Sequence, residues 1–147
     1  MEVQFFFADK NVTLTDRTRL KHFVANIFKK EKKSASSLTY VFCSDEYLLG
    51  INKQFLQHDY YTDIITFDLS STKGVIEGEV YISIDRVKDN SNQLGTRIKD
   101  ELHRVIFHGV LHLCGYKDKK PADEKAMRVA EDKYLKLYFK EKQEIRK

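Results

Sequence analysis

Apolar residues recur along the chain with two different periods, and the switches between them mark the elements. Residues 3–7 form a short apolar run that reads as a first strand. Leu20, Phe23, Val24, Ile27 and Phe28 recur at helical spacing, with Thr15 or Asp16 placed to cap that helix. Residues 37–43 alternate and are rich in β-branched and aromatic side chains, which predicts a strand. Ser44 or Asp45 then caps a helix carrying Tyr47, Leu48, Ile51 and Phe55. Residues 62–69 and 75–83 read as strands, with residues 70–74 as the turn between them. Asp85 is placed to cap a short helix ending near Gly95. A longer helix follows over about 96–114, and Gly115 stops it. Pro121 suits the first position of a last helix, with Asp123 and Glu124 in its first turn, where the helix dipole favours acids. About four strands and four or five helices neither alternate strictly nor segregate. The expectation is an α+β fold in one compact domain over 1–147, a small mixed sheet packed with helices.

Composition narrows the class. Hydrophobic residues are 41% and charged residues 33% of 147, a globular balance that excludes a disordered chain. No apolar run approaches the ~20 residues that span a bilayer, and the N-terminal stretch lacks the basic start of a signal peptide, so the reading is cytoplasmic with no membrane partner. Two cysteines, Cys43 and Cys114, are too few for a disulfide scaffold and read as free thiols. The net charge of +4 permits a nucleic-acid partner without requiring one. Much of the excess sits at 29–33 and 140–147, where solvated surface and a frayed tail explain it.

The chemistry concentrates in residues 108–118. His108 and His112 are four apart on the long predicted helix, so they lie about 40° apart around its axis and one turn apart along it. Both imidazoles can reach one ion. Gly115 can adopt the left-handed conformation that ends a helix and turns the chain back, returning Asp118 to the same ion. Two histidines and a carboxylate leave a fourth position for water, the open arrangement of a catalytic zinc site. His103 falls nearly opposite His112 and is excluded as a ligand. Cys114 lies about 200° from His112 and reads as a core thiol. The residue after His108 is Gly109, where zincin proteases carry the glutamate base of His-Glu-x-x-His. A glycine there costs the helix about 1 kcal/mol relative to alanine, and close approach of substrate or of a neighbouring chain would account for it.

His-Gly-x-Leu-His-Leu-x-Gly-Tyr, as it stands at 108–116, resembles the signature of the YbeY-type bacterial rRNA-maturation endoribonucleases. Asn52, Asp59 and the stretch Thr62-Asp63-Ile64-Ile65-Thr66-Phe67 look like the family's segment before its third strand, and Gly78-Glu79-Val80-Tyr81-Ile82-Ser83 like its next strand. The resemblance spans roughly 48–118. It implies a metalloprotease-like α+β domain with one zinc ion, and a single-strand-directed endoribonuclease acting on 16S rRNA 3′ ends and in ribosome quality control. It also implies an rRNA precursor as substrate, with ribosomal proteins or a ribosome-associated GTPase as partners. His108 and His112 match the first two ligands.

Two positions depart from the family pattern. The usual third ligand is a histidine, and Asp118 stands there. A carboxylate is harder than imidazole and shifts the preference toward Mn²⁺ or Mg²⁺ relative to three histidines, with zinc still the first expectation. Many members carry an arginine where this chain has Leu56, and a lysine where it has His58; the arginine's role is not carried over. Arg104, Lys117 and Lys119 are candidate phosphate contacts, with surface positions the simpler reading for Arg104. Tyr60 and Tyr61 can stack on bases, with a core position the simpler reading. The competing classes are a metzincin-like protease and a non-catalytic, ribosome-associated binding module.

Overall fold

The computed structural model describes residues 1–58 and 60–146, with side chains through 140. Asp59, and the side chains of the basic run beyond Lys140, lie outside the described residues. Four strands and five helices are present among them: β1 (Glu2–Phe7), α1 (Arg17–Lys30), β2 (Ser34–Cys43), α2 (Asp45–Leu56), β3 (Ile64–Asp68), β4 (Val75–Ser83), α3 (Ile84–Leu94), α4 (Ile98–Leu113) and α5 (Pro121–Arg146). The sheet order is β1-β2-β4-β3. β1, β2 and β4 run parallel, and β3 pairs antiparallel with β4 as the far edge. No described helix is long and apolar enough to cross a membrane.

Strand alternation sorts the side chains into two cores. Leu38, Tyr40, Phe42, Val80 and Ile82 face α1, α4 and α5 in the main core. Cys43 and Ile65 face α2 through Leu48 on the other side, with Phe67 and Tyr81 against them. The main core is rich in rings: Phe23 meets Phe107, Tyr134 and Tyr138 at 4.9–6.3 Å between centroids, spacings favourable for tilted aromatic pairs. Tyr40 is fully buried and donates its hydroxyl to the Ile106 carbonyl at 2.8 Å, tying β2 to α4.

Local cap signals hold at α2 and α5 but not at α3. Ser44 caps α2, its hydroxyl accepting from the Tyr47 amide. Pro121 opens α5 as expected. Asp85 does not cap α3. β4 runs into α3 without a loop, so the strand's last residue, Ser83, takes that role and accepts from the Arg86 amide. Asp85 instead pairs with Lys10 and accepts from the Asp45 amide, joining the start of α3 to the N-terminal loop and to α2.

Candidate metal centre and active site

α4 reaches the sheet through two glycines. A Cβ on Gly109 would lie 2.8 Å from Val80 Cγ1, 3.2 Å from Val80 Cγ2 and 3.3 Å from Ile64 Cδ1. A Cβ on Gly78 would lie 2.7 Å from Leu113 Cδ1. At Gly109 the helix therefore sits too close to β4 for a side chain, whereas at Gly78 the nearest atoms are the movable tips of Leu113. The close approach expected at Gly109 is real, but its partner is the protein's own sheet and not a substrate or a second chain. This contact sets His108 and His112 beside β3.

The chain then turns back. Gly115 has φ +109°, a conformation that favours glycine, and the Tyr116 amide bonds the Leu111 carbonyl at 3.0 Å. Tyr116 and Tyr134 both donate their hydroxyls to Glu31, which fastens this turn to α1 and α5. The reversal brings Asp118 to the histidines. Its Oδ2 lies 3.2 Å from His108 Nε2 and 3.1 Å from His112 Nε2. The three expected residues are thus one cluster, and they are the group found among the described residues whose ligand atoms fit one ion.

Hydrogen bonds on the other ring nitrogens assign the tautomers. His112 Nδ1 is 2.9 Å from the Tyr116 carbonyl, which can only accept. His108 Nδ1 is 2.6 Å from Glu131 Oε2, a carboxylate oxygen. Both Nδ1 atoms therefore carry hydrogen, and in the neutral rings both Nε2 lone pairs face the same oxygen of Asp118. With both rings neutral, these three acceptors repel unless a metal ion, or a proton on one Nε2, lies among them. A tetrahedral ion with bonds of about 2.0–2.1 Å spaces its donors about 3.3 Å apart, close to the separations present. The donor set therefore fits a divalent metal ion.

Glu131 was not foreseen. It lies on α5 and is buried, and its second oxygen accepts from Arg104 Nη1 at 2.8 Å. Arg104 also bonds Asp132 at 2.6 Å, so it is a partner inside the protein and not a surface arginine awaiting phosphate. Burial pulls the His108 pKa down, but Glu131, Asp63 and Asp118 together outweigh it and leave it raised. Burial also lifts the Asp63 carboxyl above its ordinary value, against the pull of His108. Cys114 and Cys43 are buried free thiols, each pushed up to about 12 chiefly by burial. His103 is buried against Tyr138, away from the cluster, as its helical position required.

Two clefts meet at the cluster, sharing Asp63, His108 and Asp118. One, of about 640 Å³, runs between α4 and α5 past Arg104 and Glu131. The other, of about 760 Å³, runs along β3 past Leu56, His58, Tyr60, His112 and Lys119. Tyr60 and Tyr61 are not core residues: they are 56% and 49% exposed. Tyr60 stacks on His58 with centroids 5.1 Å apart, which makes an exposed two-ring face in the second cleft. Tyr61 turns outward to Glu46 instead. Lys119 is the lysine or arginine found lining that cleft among the described residues, while Lys117 does not line it.

A mixed sheet with a buried helix presenting two histidines, completed by a carboxylate from the following turn, defines an α+β domain with a candidate metal centre of the open, three-ligand kind. Comparison with known proteins gives the family. The model of the family described as Endoribonuclease YbeY matches residues 5–138. A protein of that name from Cytophaga hutchinsonii is 55% identical over 133 residues, covering 90% of this chain and 93% of the relative. Another from Porphyromonas gingivalis is 44% identical over 91% of this chain and 88% of its own length. A third, from Flavobacterium psychrophilum, is 46% identical over 85% and 89% respectively. The solution structure of TM1509 from Thermotoga maritima shares the fold, with a TM-score of 0.61 at 23% identity over 97% of this chain and 92% of that one. The chain belongs to the YbeY endoribonuclease family.

Proposed function

We propose that the chain, working as one domain over 1–147, is a metal-dependent endoribonuclease that cuts single-stranded RNA. Its substrate is an rRNA precursor in the cytoplasm, cut during 16S 3′-end maturation and ribosome quality control, with ribosomal proteins or a ribosome-associated GTPase as partners. His108, His112 and Asp118 hold the ion, with zinc the first choice. The observation that carries this reading is the convergence of two Nε2 lone pairs on one Asp118 oxygen at 3.1–3.2 Å in a family of endoribonucleases.

When bound, a divalent ion supplies Lewis-acid polarisation of a phosphoryl oxygen and lowers the pKa of water beside it. The chain's own residues do the rest. The Tyr116 carbonyl and Glu131 fix the two imidazoles before substrate arrives. The Tyr60–His58 face offers a stacking surface for bases, and Lys119 a cation for phosphate, in the cleft where Leu56 replaces the family's arginine. The protease reading loses support at Gly109. A side chain there is directed at Val80 and Ile64, so the position offers no base to the site.

The test is cleavage of an rRNA-like single-stranded RNA by wild type and His112→Ala, purified in parallel and matched by circular dichroism. Cleavage by wild type alone is expected. Equal cleavage by both would remove this site from the reaction, and digestion of unfolded casein by wild type would revive the protease. A 5′-phosphate on the cleaved RNA would mark water as the nucleophile; a cyclic phosphate would mark the RNA 2′-OH.

A further inference from the structure

We infer that Glu131 is the positioning residue of the metal centre, acting through His108, and that Arg104 holds Glu131 in place; this rests on the metal reading above. The two histidines are oriented by different means. His112 is aimed by the carbonyl of Tyr116, four residues along the same chain segment. His108 is aimed by a carboxylate from α5, 23 residues away in sequence, at 2.6 Å. Without that partner the ring of His108 has no fixed tautomer, and its Nε2 lone pair is not committed to the side where Asp118 and His112 wait. Ligating histidines characteristically donate their second N–H to such a group, which fixes the ring and raises its basicity.

The Glu131 side chain is 6% exposed, an unusual place for a charge without strong partners. Each of its oxygens has its own donor. Oε2 takes His108 Nδ1–H, and Oε1 takes Arg104 Nη1–H at 2.8 Å. The arrangement explains why the residue is glutamate. Glutamine has one acceptor and one donor, so its amide would leave either Arg104 or His108 facing another N–H. Arg104 is itself anchored, with its second nitrogen on Asp132 at 2.6 Å. The order of dependence is Asp132 to Arg104 to Glu131 to His108, from the outer face of α5 inward to the ion.

The test uses the whole chain as wild type, Glu131→Gln, His108→Ala and the double variant. Zinc affinity is measured by chelator competition, and the His108 tautomer by long-range ¹H–¹⁵N correlation on metal-free protein. Glu131→Gln is expected to weaken zinc binding about 10–100-fold. It should also convert His108 from a single Nδ1–H tautomer to a mixture, while in the His108→Ala background it should add no further loss of affinity. Unchanged affinity and tautomer in Glu131→Gln would overturn the inference. So would the same loss with and without His108, since that would mark a general weakening of the fold. Should Glu131→Gln not fold, Arg104→Gln carries the same comparison with a smaller expected loss, again only when His108 is present. Wild type that shows the Nδ1–H tautomer yet binds no zinc would overturn the metal reading and leave the role of Glu131 in orienting the ring standing.

Discussion

Gly109→Ala sets two opposite effects against each other at one atom. Within a helix, alanine is favoured over glycine by about 1 kcal/mol. Against this, the new Cβ would stand 2.8 Å from Val80 Cγ1, 3.2 Å from Cγ2 and 3.3 Å from Ile64 Cδ1. Val80 is fully buried and β-branched, and both its methyls flank the site, so a χ1 rotation leaves one methyl in place and drives the other into the surrounding core. The backbone of α4 or β4 must give way instead, and such overpacking costs about 1–3 kcal/mol. Taking about 2 kcal/mol for the clash and subtracting about 1 for the helix gives a net loss of about 1 kcal/mol, or about 2–4 °C in Tm for a domain of this size. Where α4 is the element that yields, His108, the adjacent residue, moves with it, and the affinity of the candidate centre for a divalent ion should fall with stability. Urea unfolding of wild type, Gly109→Ala, Val80→Ala and the pair measures the balance. In the double variant both Val80 contacts are gone, only the 3.3 Å approach to the tip of Ile64 remains, and the helix gain is kept, so Gly109→Ala should be stabilising on the Val80→Ala background. A Gly109→Ala protein about 1 kcal/mol more stable than wild type would refute the reasoning, since it would mean that helix propensity alone governs this position.

Three further outcomes are expected. Asp118→His replaces a hard oxygen with a third imidazole, so the ratio of zinc to Mn²⁺ affinity, read by competition titration, should rise above the wild-type value. Tyr60→Ala removes half of the exposed two-ring face and should weaken single-stranded RNA binding by about 1–3 kcal/mol in a filter or anisotropy assay, without changing zinc affinity. Cys43 and Cys114, with thiols pushed up to about 12, are ionised to only about one part in 10⁴ at pH 8. Both should ignore Ellman's reagent in the native protein, react at once in guanidinium, and become more reactive as pH rises.

What the sequence disclosed about the site follows from how far apart the parts lie along the chain. His108, His112 and Asp118 fall within eleven residues, and helix geometry plus one glycine turn is enough to bring them together. Glu131 and Asp63 reach the same point only because α5 docks on α4 and β3 forms the edge beside β4, and no local period encodes either event. A signal for Glu131 was present nonetheless. Met127, Tyr134 and Tyr138 mark the buried stripe of α5 at helical spacing, and Glu131 lies on it. An acid among such residues implies a donor waiting across the interface. The α3 cap was misplaced for a related reason: with β4 running straight into α3, the cap fell to a residue that reads as strand. Tyr60 and Tyr61 read as core because aromatic residues beside a strand usually are, but they precede the first residue of edge strand β3 and stay exposed against His58 and Glu46.

The departure at position 118 has a structural consequence beyond metal preference. A neutral imidazole at that position would add a third neutral donor to the centre. Asp118 adds a negative charge beside Asp63, whose carboxyl is already lifted by burial, and opposite the Glu131 carboxylate on the far side of His108. Such a concentration of acids in a partly buried place is unfavourable without compensation. Arg104 answers part of it by pairing with Glu131. The remainder faces the point where the two Nε2 lone pairs meet, which is where a divalent cation has most to gain. Where the family resemblance leads one to expect histidine, an aspartate at 118 would raise the electrostatic demand for a cation at the same time as it offers an oxygen donor to one.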